Sequence, residues 1–137
     1  MNKNTIFITG AASGIGLATA KHFHKKGYWV GMADINLVQL TQATEIWDRT
    51  RVRLFQLDVS DFSQVQHAMA KFCADHNDCL AVLLNNAGIL EIGPFEEIPI
   101  EHHQRTIIIL RICKSKERYS DLLEFSGRFS LCWFGDL

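Results

Sequence analysis

The sequence predicts an α/β domain built on a parallel sheet, and three observations carry that prediction. Short apolar runs alternate with amphipathic segments from residue 5 to about residue 106. A glycine-rich loop joins the first apolar run to the first amphipathic segment. The run Leu80 to Leu84 is apolar throughout, as expected of a strand buried on both faces. Strands and helices alternating at this spacing imply right-handed crossovers and therefore parallel neighbours.

Each element follows from its residues. Thr5 to Thr9 is the first strand, and Gly10 to Gly16 is the loop after it. Leu17 to Lys26 reads as a helix with basic residues at its end, and Gly27 stands where a helix-stopping glycine belongs. Tyr28 to Ala33 is the second strand, ending at Asp34. Leu37 to Trp47 follows as a helix in which Val38, Thr41 and Ile46 share a candidate buried stripe. Arg51 to Leu57 alternates apolar and polar residues as a third strand. Ser60 or Asp61 is placed to cap the next helix, where Phe62, Val65, Met69 and Phe72 recur at helical spacing. Asn77-Asp78 breaks that pattern before the fourth strand, which ends in Asn85-Asn86-Ala87-Gly88.

From Ile107 the alternation stops. Residues 1–106 are read as one α/β region and 107–137 as a tail that fits no further strand–helix unit. The chain of 137 residues is 47% hydrophobic and 21% charged, which excludes a disordered or collagen-like polymer. A net charge of −1 offers no electrostatic case for nucleic acid or an anionic membrane. The four cysteines, Cys73, Cys79, Cys113 and Cys132, contain no C-x-x-C pair and suit reduced thiols better than a disulfide framework or zinc site. His102-His103 and His22-x-His24 lack the spacing of a ligand pair on one helix face, so no metal site is expected. No apolar run is long enough to span a bilayer and the N-terminus has no signal-like apolar core, so a cytoplasmic location is expected.

The loop Thr9-Gly10-Ala11-Ala12-Ser13-Gly14-Ile15-Gly16 has the composition a dinucleotide pyrophosphate requires. Such an anion needs backbone N–H groups at a helix N-terminus, and bulky side chains would hold it away. Gly10 permits the turn, Gly14 admits the phosphate and Gly16 allows close helix packing, with Ser13 and Ile15 between them. Asp34 lies 20 residues after Gly14, at the end of the second strand. A carboxylate there accepts hydrogen bonds from ribose hydroxyls and repels a 2′-phosphate. The alternative is a cap for the helix near Leu37, a role open to Asn36 as well. Position 12 is Ala and position 35 is Ile, so no cation stands beside Asp34, and NAD is preferred over NADP.

These features resemble the short-chain dehydrogenase/reductase family. Its T-G-x-x-x-G-x-G pattern is matched from Thr9 to Gly16, its Asp-apolar pair after the third strand by Asp58-Val59, and its N-N-A-G motif by Asn85 to Gly88. The resemblance covers residues from about 4 to 106 and implies a Rossmann-like sheet with flanking helices, incomplete here at strands 1–4 of the doubly wound order. It implies that Asp58 bonds the adenine amino group and Val59 lies against the ring. It further implies that Asn86, Ala87 and Gly88 line the cofactor through their backbone while Asn85 steadies the sheet. Singly, Asp58 also reads as a helix cap and Asn85 to Gly88 as a turn.

The same resemblance implies a catalytic Tyr with a Lys four residues on, a Ser and an Asn. Tyr28 and Tyr119 are followed at that spacing by Met32 and Leu123, and the Asn expected near position 110 is Leu110. No catalytic residue is therefore assigned, and the chain is read as an inactive, truncated cofactor-binding fragment of an oxidoreductase. A non-catalytic nucleotide-binding protein and a product of frame disruption near codon 107 are the alternatives. An incomplete sheet leaves Leu80 to Leu84 as an exposed edge, for which Phe129 to Phe134 or another chain is a candidate partner, so self-association is expected.

Overall fold

The computed structural model describes residues 4–76, 80–89, 94 and 97–104. Four strands, β1 (Thr5–Thr9), β2 (Trp29–Asp34), β3 (Val52–Gln56) and β4 (Val82–Leu84), form one sheet in the order β3-β2-β1-β4. Every pairing is parallel. The connections are α1 (Gly14–Lys25), α2 (Leu37–Ala43) with a 3-10 turn at Arg49–Arg51, and α3 (Phe62–Ala74). This is the Rossmann-like α/β arrangement, with strands 3-2-1-4 of the doubly wound order.

Period-two alternation along β1 sends its side chains into two cores. Phe7 joins Val65, Ala68, Met69 and Phe72 of α3 on one face. Ile6 and Ile8 join Ala20 of α1 and Leu40 of α2 on the other. All five residues of β1 are buried, as the central position between β2 and β4 requires. The Phe7 ring packs against Phe55 and Phe72 at centroid distances of 5.5 and 5.6 Å. Its partner in register is Gly31. A Cβ on Gly31 would stand 2.6 Å from the Phe7 ring, so the glycine in mid-strand makes the space that the ring fills.

The helix boundaries depart from the sequence reading by more than one residue in two places. α1 begins at Gly14, three residues before Leu17, because the Ser13 backbone is extended and its carbonyl accepts from the Leu17 N–H at 3.1 Å. The last glycines of the loop thus form the first helical turn, where low helix propensity costs least. α2 ends at Ala43 and not at Trp47. Beyond it the Thr44 hydroxyl donates to the Leu40 carbonyl at 2.9 Å, the following amides bond three residues back, and Trp47 stacks on His24. The candidate stripe is also corrected. Val38 and Ile46 are 68% and 92% exposed and Thr41 is exposed, whereas Leu40 and Thr44, one turn apart, are the buried pair.

Other expectations hold at these positions. Gly27 follows α1 with φ +82°, and Asp61 is the α3 cap, accepting from Ser63 and Gln64 amides at 3.0 and 3.3 Å. The fourth strand is shorter than 80–84, and its burial is uneven. Leu80 and Leu83 are buried, but Val82 and Leu84 are half-buried at the margin of the second core, with β1 as the one strand partner among the described residues. Cys73 is half-buried against the first core. The break at Asn77-Asp78, the other three cysteines, the boundary near Thr106 and the whole tail, including Leu110, Tyr119 and Phe129 to Phe134, lie outside the described residues.

Candidate cofactor-binding site

The parallel sheet delivers the candidate residues to one edge. Gly10 follows β1, Asp34 ends β2 with Ile35 next to it, Leu57 to Val59 follow β3, and Ala87 to Ile89 come soon after β4. Together these nine residues line a shallow cleft of about 110 Å³ at the carboxyl ends of the strands. That is the edge where open α/β sheets hold their ligands, beside the point at which strand order reverses. Six predicted residues, Gly10, Asp34, Asp58, Val59, Ala87 and Gly88, thus meet in one place. Ser13, Gly14, Ile15 and Gly16 stand at the start of α1, and Asn86, which is not among the lining residues, donates to the Gly10 carbonyl.

Gly10 and Gly16 have separate reasons to be glycine. Gly10 has φ +64°, and a Cβ there would lie 2.8 Å from the Ala87 Cα. A Cβ on Gly16 would lie 2.2 Å from the Gly10 carbonyl oxygen and 2.6 Å from Asn86 Nδ2. Gly16 therefore serves the folding of the loop onto itself. Next to Gly14 the space is open. Ser13 makes no side-chain cap bond, so the first N–H groups of α1 are left without a side-chain acceptor from the cap residue.

One residue the sequence reading passed over holds this region together. Thr9 is 2% exposed, and its Oγ1 accepts from the Asn86 and Ala87 amides at 3.2 and 3.1 Å. In return Asn86 Nδ2 donates to the carbonyls of Thr9 and Gly10 at 3.3 and 3.1 Å. The N-N-A-G turn and the glycine loop are thereby one hydrogen-bonded unit, with Asn86 making the tie through its side chain. The available signal was a hydroxyl residue ending an apolar strand, but its partners lie 77 and 78 residues away.

The two aspartates separate from the capping alternatives. Asn36 caps α2, its Oδ1 accepting from the Gln39 amide at 3.0 Å, while Asp34 accepts from the Ala12 and Asn36 amides, both at 3.0 Å. Asp58 Oδ1 accepts from the amide and hydroxyl of Ser60 at 2.9 and 2.7 Å, and the cap of α3 is Asp61. Ile35, 54% exposed, supplies an apolar wall next to Asp34, and none of the described residues lining the cleft is a Lys or Arg.

A family model for the short chain dehydrogenases matches residues 4–110. The chain belongs to this family. An uncharacterized oxidoreductase of Bacillus subtilis is 36% identical over 112 residues, which cover 80% of this chain and 41% of that protein. Galactitol 2-dehydrogenase of Agrobacterium fabrum is 32% identical, with 80% of this chain and 42% of the enzyme covered. The chain thus spans about two fifths of the length of these relatives. Among solved structures, a short chain dehydrogenase from Bacillus anthracis superposes with a TM-score of 0.78 at 22% identity, covering 90% of this chain and 53% of its own. A blue fluorescent protein from a metagenomic library, in complex with NADPH, superposes at 0.70 with 27% identity, covering 81% of this chain and 47% of its own.

Among the described residues no helix is long and apolar enough to cross a membrane, and no group of three His, Cys, Asp or Glu is placed to hold a metal ion.

Proposed function

We propose that residues 1–106 form a binding region for a nicotinamide dinucleotide, NAD in preference to NADP. The observation that carries the reading is the convergence of Asp34, Asp58, Val59, Ala87 and Gly88 with Gly10 in one cleft beside the uncapped start of α1. In this reading the adenine lies between Ile35 and Val59, Asp58 accepts from its amino group, and Asp34 accepts from the ribose hydroxyls. The pyrophosphate takes N–H groups from Ser13 to Gly16. A 2′-phosphate would meet the Asp34 carboxylate with no Lys or Arg lining the cleft to offset it. The bound nicotinamide supplies hydride chemistry. This 137-residue chain supplies no Tyr-x-x-x-Lys pair, and turnover by it alone is not part of the proposal. A cytoplasmic location, self-association at the β4 edge and a tail at 107–137 outside the binding region complete the reading.

Titrating the purified chain with NAD and NADP by calorimetry tests the assignment. NAD should bind at least about tenfold more tightly, as expected when one of two ligands meets an uncompensated charge. Equal or tighter binding of NADP would overturn the cofactor preference, and binding of neither would overturn the site.

A further inference from the structure

Asp34 does more than face the cleft. Its Oδ2 accepts from the Ala12 N–H at 3.0 Å, a bond that spans 22 residues, and its Oδ1 accepts from the Asn36 N–H at 3.0 Å. Ala11, the neighbour of Ala12, donates to the Ala33 carbonyl at 3.1 Å. Two successive amides of the glycine loop are therefore held by the last two residues of β2. One is held by backbone, the other by a charged side chain, and a charge-assisted bond is the stronger kind. Ala11 and Ala12 are also buried, so this part of the loop is clamped against the sheet before α1 begins.

The clamp divides the labour of the loop. With Ala11 and Ala12 engaged inside the protein, the amides left for an anion are those at the start of α1, and their positions depend on how the preceding residues are held. An ionised carboxylate offers about four acceptor positions, so bonds to two backbone amides leave about two for a ligand in the cleft.

We propose that Asp34 is a positioning residue for the phosphate-binding loop, latching Ala12 in the absence of nucleotide, in addition to any contact with ribose. The proposal rests on the reading of the cleft as a dinucleotide site. Its consequence is that phosphate grip and cofactor preference share one carboxylate. Replacing Asp34 to admit a 2′-phosphate would loosen the loop that binds the pyrophosphate of either cofactor. An unlatched loop spends part of its time in other shapes, and apparent affinity falls with the competent fraction.

Inorganic pyrophosphate is the discriminating probe, because it has no ribose. If Asp34 acted on ribose alone, Asp34→Ala would leave pyrophosphate affinity unchanged or raise it by removing a nearby negative charge. With the latch, Asp34→Ala weakens pyrophosphate about tenfold, whereas Asp34→Asn, which keeps an acceptor oxygen for Ala12, retains it. Both variants weaken NAD. In the nucleotide-free chain, amide exchange at Ala12 accelerates in Asp34→Ala and stays slow in the wild type and Asp34→Asn. Unchanged exchange at Ala12 together with undiminished pyrophosphate binding in Asp34→Ala would overturn the latch. If the wild type binds neither NAD nor pyrophosphate, the site reading fails while the exchange measurement still decides the latch. Should Asp34→Ala not fold, amide exchange at Ala12 and pyrophosphate affinity are compared in Asp34→Ser, whose shorter side chain cannot span the 3.0 Å bond to Ala12. Exchange and affinity equal to those of the wild type would overturn the proposal.

Discussion

Three helices begin at the carboxyl edge of the same sheet, and they do not begin alike. α2 is started by Asn36 and α3 by Asp61, each bonding the amides of its first turn through a side-chain oxygen. α1 is started by Ser13, which makes no such bond, and its first turn holds two glycines. A helix N-terminus with its own cap is satisfied by the protein, whereas one without a cap offers its N–H groups and partial positive charge to something else. The difference teaches that side-chain capping is local to each helix start, and that α1 is the one of the three whose cap residue leaves its first N–H groups to other acceptors.

The comparison is broken most severely at Gly16. Gly16→Ala sets a Cβ 2.2 Å from the Gly10 carbonyl, and overpacking of this kind should lower unfolding free energy by about 2–3 kcal/mol and abolish NAD binding. Denaturant melts and calorimetry measure the two effects. Gly31→Ala, which crowds Phe7 to 2.6 Å, should cost about 1–3 kcal/mol through a strained core, with NAD affinity of the folded fraction preserved. Asp61→Ala should cost about 1 kcal/mol by loss of the α3 cap, while Ser13→Ala leaves the melting midpoint in place. Equal losses at the two cap positions would show that α1 and α3 are started alike after all. Ser13→Asp sharpens the contrast from the other side. It should raise stability by about 0.5 kcal/mol and weaken pyrophosphate binding by placing an anion at the proposed phosphate position.

The smallest effect concerns Asp48, at the opposite edge of the sheet. The amide and hydroxyl of Thr50 hold its carboxylate below the ordinary 3.8. A depressed carboxylate contributes stability above its unfolded pKa and loses it as pH falls through the folded value. Asp48→Asn should therefore lower stability slightly at neutrality, where the carboxylate contributes in full, and flatten the profile on the acid side of about pH 4, where the two proteins converge.

Much of the architecture was legible because it depends on local pattern. The apolar run Thr5 to Thr9 marked β1, and the three-and-four spacing of Val65, Met69 and Phe72 marked the buried face of α3. The face of α2 was misread because that helix is only seven residues long, too short for a stripe to declare itself, and Leu40 and Thr44 carry its contact. The motif residues were readable one by one, and their convergence follows from parallel topology. The Thr9–Asn86 tie and the Asp34–Ala12 bond were not readable, since nothing local to either partner specifies an acceptor so far along the chain. Ser60 and Asp61 were equivalent in sequence, and geometry alone chose between them.

The tie between Thr9 and Asn86 also sets an order of events during synthesis. The glycine loop is made within the first sixteen residues, yet its carbonyls and the Thr9 hydroxyl find their partners only at residues 86 and 87. Pairing of β1 with β2 uses nearby chain and can come early, whereas insertion of β4 beside β1 must close a much longer loop and is the slow kind of contact. A nascent chain that stops short of Asn86 carries every residue of the glycine loop without the bonds that fix its shape.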